Sequence, residues 1–425
     1  MNYSVLKLMR VCFTCLTCLT CLLLDLYVYQ GVKVLTAHLK PTTRTKIHSV
    51  YWGVTYLTIS TFLVGWLGDI RFQNAFFRYL LVPFFFVNYA AKCFIALFLL
   101  LDDITRGLRW TYRQAVPIPS HTPAPTKGLS RSAFITRTAM MAATVPMLTT
   151  SYGIITGAYD YRVRRLKVKL PHLPNAFHGL RIGQLSDIHS GNLWNKTAVK
   201  GGITMLHREK PDIIFFTGDL VNNTTDEIND YINIFNKVKA PLGVYTTLGN
   251  HDYGDYVSWP SPRAKQKNLQ AMYAAHQQLG WHLLCNDHKI ITQGSDQLAV
   301  LGVENWGTGW FSKYGQLDLA YRGTEDAPVK LLLSHDPSHW DAQVRPNYPD
   351  IDITFAGHTH GFQLGIELGT LKWSPLQHLS PYKQWAGLYQ TGAQYLYVNR
   401  GYGHIGYPGR IGIWPEITLI ELEKA

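Results

Sequence analysis

Residues 351–360 read IDITFAGHTH and combine a short apolar run with a glycine and two histidines. The apolar part has the length of a buried strand, and Gly357 allows the backbone to turn sharply where that strand ends. His358 and His360 follow directly after the turn. The stretch therefore predicts a strand that delivers two imidazole side chains at its carboxyl end.

Four other apolar runs have the same organisation. Their ends carry Asp187 and His189, then Asp219, then Asn250, His251 and Asp252, and finally His335. Taken singly, each would be an ordinary turn or capping residue, but five matched strand ends favour a site. Sites in open α/β sheets form where the carboxyl ends of strands meet, so we expect these side chains to share one pocket.

Apolar runs and helical stretches alternate along this part of the chain. We predict strands at 165–170, 180–185, 213–217, 243–248, 298–303, 329–333, 351–355, 395–398 and 417–420, and helices at 196–209, 227–238 and 264–279. This alternation is typical of an α/β protein built on sheets.

These residues, in this order, resemble the motifs of the calcineurin-like metallophosphoesterase superfamily over about residues 165–423. The segments YVNRG at 397–401 and PEIT at 415–418 are similar to a membrane-associated bacterial branch, the YaeI-like and YkuE-like enzymes. The resemblance implies a four-layer αββα sandwich and a metal-dependent phosphoric ester hydrolase.

The resemblance also implies a role for each side chain. Asp187, His189 and His360 would hold one divalent ion, Asn250, His335 and His358 a second, and Asp219 would bridge both, while His251 would protonate the leaving group and Asp252 would orient His251. The two ions would come from Mn, Fe, Zn, Co or Mg. This set of residues also meets the requirements of two-metal hydrolysis. Two closely spaced cations need a shared carboxylate, and together they activate a water molecule and bind phosphoryl oxygens.

Two positions depart from the usual pattern. Asn222 stands where relatives often have Asp, and we expect this change to tune the metals rather than abolish their binding. Phe362 stands where relatives often have Gly, and its ring is expected at the rim of the site, where it would alter substrate entry.

Other candidate residues have two interpretations each. Arg400 would either contact substrate phosphate or form a structural salt bridge. Five tryptophans would either line a lipid-facing cleft or simply pack in the core or in loops: Trp259, Trp306, Trp310, Trp373 and Trp385.

The first 160 residues have a different character. Charged residues make up only 16% of the chain, below the roughly 25% of soluble domains, which fits a chain partly in lipid. We predict an all-α transmembrane region over 1–160, with spans at about 11–32, 49–68, 79–101 and 138–159, a linker at 117–127, and a catalytic domain over 161–425. Asp25 and Lys92 are costly in lipid, and would form a structural pair, lie at an interface or mark a transport path.

Charge and cysteine content narrow the possible partners. The net charge is +12, but many basic residues flank apolar segments and no nucleic-acid-binding motif is present, so we predict no nucleic-acid partner. Cys12, Cys15, Cys18 and Cys21 fit one face of a lipid-embedded helix better than a metal site, because no histidine lies near them.

Basic residues give a prediction of orientation. The first and third connections hold ten Lys and Arg, against four at the amino terminus and second connection, which favours an extracytoplasmic catalytic domain. Five more basic residues directly after the fourth span oppose this prediction.

The combined prediction is an integral protein of the bacterial plasma membrane that hydrolyses a phosphomonoester, phosphodiester or pyrophosphate bond, with a lipid-linked substrate as one candidate. The superfamily it resembles includes pyrophosphatases of a UDP-activated acylated sugar, which would need a cytoplasmic site. The alternatives are a non-catalytic membrane sensor or scaffold that uses the metal domain for binding, and a transporter. The complete ligand set and His251 favour the enzyme.

Overall fold

The computed structural model describes residues 3–67, 76–115, 131–369 and 371–425. The chain forms two compact units that divide between Tyr152 and Gly153, rather than at the predicted boundary of 160 and 161. The predicted linker at 117–127 lies outside the described residues.

The first unit is helical. Its helices are α1 Tyr3–Thr36, α2 Pro41–Leu67, α3 Val82–Ala115 with a π-helical turn Phe77–Leu81 before it, and α4 Arg131–Ala142, and α5 Thr144–Ile155 continues into the second unit. Within the described residues, three stretches are long and apolar enough to cross a membrane, namely Val11–Thr36, Pro41–Leu67 and Phe77–Ala115.

The fourth predicted span, 138–159, falls on two shorter helices, α4 and α5, which are separated at Ala143. Pro146 provides the physical reason. It has no N–H to donate to the carbonyl of Ala142, and its ring crowds that carbonyl, so the helix is interrupted one turn before the proline.

Asp25 and Lys92 form a buried ion pair, with Lys92 Nζ 2.5 Å from Asp25 Oδ1. The hydroxyls of Thr55 and Tyr89 donate to the same carboxylate at 2.8 and 2.9 Å, and Tyr51 adds a longer contact of 3.1 Å. The structural pair is thus the arrangement observed. The described residues contain two groups of potential metal ligands, and neither includes a cysteine.

The second unit contains two six-stranded sheets. The strands are β1 Arg162–Leu170, β2 Arg181–Leu185, β3 Ile213–Phe216, β4 Val244–Thr246, β5 His282–Leu283, β6 Asp287–Gln293, β7 Asp296–Gly302, β8 Lys330–Leu333, β9 Ile353–Ala356, β10 Ile366–Leu368, β11 Leu371–Trp373, β12 Gly387–Thr391, β13 Gln394–Val398 and β14 Glu416–Lys424. The first sheet has the order β1-β14-β2-β3-β4-β5 and the second β12-β13-β9-β8-β7-β6, while β10 and β11 form a separate hairpin.

Alternation along each central strand produces the layers. Ile213 and Phe215 of β3 face the core between the two sheets, whereas Ile214 and Phe216 face the helices outside the first sheet. Those helices are α6 Lys196–Arg208, α7 Ile232–Phe235 and α8 Pro262–Leu279, and the second sheet is covered by α9 Leu317–Tyr321 and α10 Arg345–Asn347 with the turns beside them. The predicted four-layer αββα sandwich is confirmed.

Each of the nine predicted strands overlaps an observed one, with ends shifted by a few residues. The strands that were not predicted, β5, β6, β10, β11 and β12, are short or polar on one face, so they lack the apolar runs that mark central strands. The helix predicted over 227–238 is wrong in extent, because the Asn229–Asp230 pair favours a turn and α7 has only four residues.

Candidate metal centre

The carboxyl ends of five strands from both sheets meet at one edge of the sandwich. Strands β2, β3 and β4 of the first sheet are parallel neighbours, as are β8 and β9 of the second. The structure brings the predicted ligands from these strand ends into two groups, one of Asp187, His189 and His360, and one of Asp219, His335 and His358. In each group the ligand atoms lie within 4.8 Å of one another.

The first group is built around two imidazoles. His189 Nε2 lies 3.0 Å from His360 Nε2, which in turn lies 3.3 Å from Asp187 Oδ1. The second group adds the amide of Asn250, whose Oδ1 lies 2.8 Å from His358 Nδ1, and His358 Nδ1 lies 3.2 Å from His335 Nε2.

Asp219 lies between the groups. Its Oδ2 is 3.4 Å from His189 Nε2 in the first group and 3.1 Å from His335 Nε2 in the second. Burial acts to raise the pKa of Asp219, but the neighbouring His335 and His251 hold it well below the usual range. A charged carboxylate therefore occupies the position that a bridging ligand requires.

The backbone at these ligands is strained. Nine non-glycine residues of the described chain have positive φ, and five of them are predicted ligands, namely Asp187, His189, Asp219, His358 and His360. Such strain persists only where the surrounding structure fixes it, and it concentrates at functional sites. Close backbone approach also requires Gly357, since a Cβ there would lie 2.1 Å from Asp187 Oδ2.

The residues fit a pair of divalent cations. His335 Nδ1 lies 2.7 Å from the carbonyl of Thr217, which can only accept, so Nδ1 carries the proton and Nε2 presents its lone pair to the site. His358 Nε2 contacts the hydroxyl of Tyr382 at 2.7 Å, and that hydroxyl donates to Asp336 Oδ2 at 3.0 Å. Partners of this kind fix the tautomer and direction of ligating histidines.

His251 lies beside the first group, with its ring centroid 5.0 Å from that of His189. Its Nδ1 donates to the carbonyl of Asn222 at 2.6 Å, and its backbone N–H donates to Asp219 Oδ1 at 2.9 Å. Nε2 is therefore the nitrogen left for a ligand. Burial lowers the pKa of His251 to about 4, which an anion beside the ring would oppose.

The contacts of Asp252 differ from the expected orientation of His251. Its carboxylate accepts backbone N–H groups from Gly249 and Asp219, both at 2.9 Å, and from Leu220 at 2.8 Å. It thus fixes the loop that carries Asp219, whereas the carbonyl of Asn222 holds the His251 ring. Burial raises the pKa of Asp252 to about 7.

The alternatives for Arg400 are resolved by its contacts. It is buried, and its guanidinium lies 2.5 Å from Glu416 and 2.6 Å from Glu367. This is the structural salt bridge. Phe362 packs against Trp385, with ring centroids 5.4 Å apart.

Among the five tryptophans, Trp310 is 74% exposed and belongs to an aromatic series beside the metal ligands. The ring centroids of Trp310 and Phe311 are 4.4 Å apart, and Phe311 lies 4.8 Å from His358. On the other side, Trp310 lies 6.4 Å from Tyr256, which is 4.5 Å from His251. The Tyr256 hydroxyl also accepts a 2.8 Å bond from Asn250 Nδ2.

Sequence reasoning missed Tyr382, Asp336 and the carbonyls of Thr217 and Asn222. Asp336 adjoins the ligand His335, so its position was a usable signal. Tyr382 lies far from any motif in sequence, and backbone carbonyls have no side-chain signature.

Fold and ligand set together define the class, a dinuclear metallophosphoesterase, and the comparisons with known proteins agree. Residues 180–362 match the family model described as calcineurin-like phosphoesterase, and residues 9–158 match the one described as probable calcineurin-like phosphoesterase, transmembrane domain. The chain belongs to the calcineurin-like phosphoesterase family, which comprises metal-dependent phosphoric ester hydrolases that use two divalent ions, and it is a membrane protein.

Three relatives illustrate the similarity. YkuE of Bacillus subtilis, an uncharacterised metallophosphoesterase, is 30% identical over 265 residues, which cover 60% of this chain and 84% of YkuE. A transmembrane protein with a metallophosphoesterase domain from Danio rerio is 28% identical over 293 residues, 68% of this chain and 63% of that protein. The UDP-2,3-diacylglucosamine pyrophosphatase LpxG of Chlamydia trachomatis is 27% identical over 284 residues, 57% of this chain and 83% of LpxG.

Proposed function

We propose that this protein hydrolyses a phosphoric ester or anhydride of a lipid-linked substrate at the bacterial plasma membrane, with its reaction centre at Asp219. The observation that carries the proposal is the position of one carboxylate oxygen, Asp219 Oδ2, within 3.4 Å of a histidine nitrogen from each ligand group. Asp187, His189 and His360 would hold one ion, and Asn250, His335 and His358 the other.

Two bound divalent ions would supply an activated water and neutralise charge on the phosphoryl oxygens. The chain's own residues do the rest. Asp219 fixes the separation of the two ligand groups. The carboxylate of Asp252 holds the loop that carries Asp219 by accepting hydrogen bonds from the backbone N–H groups of Asp219 and Leu220. His335 and His358 are kept in their ligating tautomers by Thr217 and Tyr382.

His251 is proposed as the general acid. Its Nδ1–H bond to the Asn222 carbonyl directs Nε2 away from the loop, so Nε2 would carry the proton to the departing oxygen. Because burial lowers the pKa of His251, the protonated ring releases its proton easily. A phosphate anion beside the ring would favour protonation of His251 when substrate is bound.

The substrate class rests on a second feature. Tyr256 borders the proposed acid His251, Phe311 borders the proposed ligand His358, and the largely exposed Trp310 lies between them. Such a wall suits a substrate with apolar or planar parts next to its phosphate. The similarity to LpxG, whose name gives an acylated nucleotide sugar as its substrate, supports the same choice.

The experiment is hydrolysis by the purified full-length chain loaded with Mn²⁺, assayed with an aryl phosphodiester, an aryl phosphomonoester and UDP-2,3-diacylglucosamine. Asp187→Asn is expected to lower metal content and abolish turnover. His251→Ala should keep both metals and lower kcat by roughly 10²–10⁴-fold. Asp226→Asn, a change of an exposed carboxylate outside the centre, is the matched control.

The leaving group distinguishes general-acid catalysis from simple positioning. An alkyl phosphate needs protonation of its leaving oxygen more than a nitrophenyl ester does, so His251→Ala should harm the alkyl substrate more. An equal loss on both substrates would contradict the proposed role of His251, and full activity of Asp187→Asn would contradict the proposed centre.

A further inference from the structure

The hairpin of β10 and β11 follows the ligand His360 and precedes Tyr382 in the chain. Its cross-strand pairs are Ile366 with Trp373, Glu367 with Lys372, and Leu368 with Leu371. Because side chains alternate along a strand, the charged pair lies on one face and the four apolar side chains lie on the other.

The polarity of this hairpin is the reverse of what a water-exposed hairpin should have. Glu367 faces inward, where its carboxylate pairs with Arg400 at 2.6 Å and with Arg164 at 2.5 Å, and Lys372 Nζ donates to the Ala386 carbonyl at 3.1 Å. The apolar face points outward, and Leu368 and Leu371 are 70% and 57% exposed.

The inward ion pairs fix this orientation, since turning the hairpin over would break the salt bridges of Glu367 and leave the buried Arg400 with one partner fewer. The turn that follows exposes two more leucines, Leu376 and Leu379, the second of which is 83% exposed. We call these six side chains the hairpin patch: Ile366, Leu368, Leu371, Trp373, Leu376 and Leu379. Exposed apolar side chains concentrated in one segment, four of them on one face of a hairpin, indicate an interaction site.

A short series of backbone hydrogen bonds links the hairpin to the end of α5. Gly365 N donates to the Ile411 carbonyl at 2.9 Å, and Arg410 N donates to the Gly153 carbonyl at 3.0 Å. Gly153 lies near the end of the segment that matches the transmembrane family model, residues 9–158. Backbone hydrogen bonds within the second unit therefore connect the hairpin to the end of the segment that matches the transmembrane family model.

We propose that the hairpin patch rests in the lipid interface as a second membrane contact, independent of the membrane helices. The composition agrees, because leucine and isoleucine gain by leaving water and tryptophan favours the boundary between headgroups and acyl chains. This contact between the hairpin patch and lipid does not depend on the proposed hydrolytic activity.

The test is quenching of tryptophan fluorescence by brominated lipid. The full-length chain is reconstituted in vesicles of phosphatidylcholine and phosphatidylglycerol brominated near the headgroup end of the acyl chains. Trp373→Phe removes a quenched emitter, so the quenched fraction should fall by roughly the share of one of the twelve tryptophans. Trp310→Phe, which removes an exposed tryptophan outside the patch, is the matched control and should raise that fraction slightly.

A second variant tests the patch as a whole. Leu368→Glu combined with Leu371→Glu should lower quenching at Trp373 to the level seen in Trp373→Phe, whereas Leu319→Glu, at an exposed leucine of α9, should change nothing. Metal content, measured alongside, reports that the catalytic unit is folded. The proposal is overturned if Trp373→Phe changes the quenched fraction in the same way as Trp310→Phe. It is also overturned if cross-linking shows that a second copy of the chain covers the hairpin patch.

Discussion

Two buried clusters of ionisable side chains in the described chain have opposite characters. In the helical unit, Asp25 is surrounded by donors, with contacts from Thr55, Tyr89 and Lys92 between 2.5 and 2.9 Å. At the strand ends, histidine nitrogens face one another at 3.0 and 3.2 Å, where lone pairs and protons cannot all be satisfied by the protein itself.

The difference separates structure from function. A network that satisfies its own charges stabilises one packing arrangement, and its members need nothing from outside. A set of ligands that converge on shared space with strained backbones is stable only because the fold fixes it, and it gains when cations bind. The predicted ligands at the strand ends therefore form a candidate site, whereas the cluster around Asp25 is a structural element.

Removing the shared carboxylate should give the largest effect of this comparison. Asp219→Asn is expected to lower the metal content from two ions to one or fewer and to reduce hydrolysis by on the order of 10³-fold or more, since one charge holds both ions. Elemental analysis and turnover measure the two losses. Asp230→Asn, at an exposed carboxylate, should change neither, and two retained ions in Asp219→Asn would refute the bridging role.

The Asp25 cluster should respond in stability rather than in metal content. Asp25→Leu leaves Lys92 buried without its partner and is expected to cost about 3–5 kcal/mol. The double variant Asp25→Leu with Lys92→Leu should recover most of that loss, because no lone charge remains. Thermal unfolding in detergent measures the stability. If a folded Asp25→Leu variant lost bound metal, the structural role of this cluster would be contradicted.

The hydrogen bond from His358 to Tyr382 tests how far the site extends beyond its ligands. Tyr382→Phe removes the partner of His358 Nε2 and the link to Asp336, so metal affinity should fall about 10–100-fold. Metal titration against a competing chelator measures the change. Tyr395→Phe, at a hydroxyl with one long contact to a backbone carbonyl, serves as control and should bind metal normally.

The smallest effect is expected at Asn222. Its backbone carbonyl, rather than its side chain, holds His251, so Asn222→Asp should leave kcat within about tenfold. The backbone N–H of Asn222 donates to Glu227 Oε2 at 2.6 Å, and a second carboxylate there would repel Glu227. We therefore expect a thermal midpoint lowered by a few degrees, restored by adding Glu227→Gln.

How much of the fold could be predicted depended on the signal that each element carries. Central strands such as β3 and β9 are apolar on both faces, so their runs stand out in the sequence. The hairpin of β10 and β11 was missed, because its outward leucines and inward charges contradict the usual pattern of a surface hairpin. The interruption at Ala143 was not anticipated, although Pro146 carried the signal.

The sequence by itself determined which side chains gather at the carboxyl ends of the strands, and it determined the apolar character of the first helices. The carboxyl ends of parallel strands meet at one edge of a sheet, so Asp187, Asp219 and His358 can be grouped from the sequence alone. Apolar length alone likewise indicates helices of membrane-spanning size.

Only the tertiary structure decided which partners those residues have. Tyr382 meets His358, and Glu367 meets Arg400, through the register of separate strands and loops, and local sequence carries no record of that register. The same holds for Asp252, whose carboxylate turned out to hold a loop rather than a ring. Hydrogen bonds and ion pairs act over about 3 Å in space, whatever the distance along the chain.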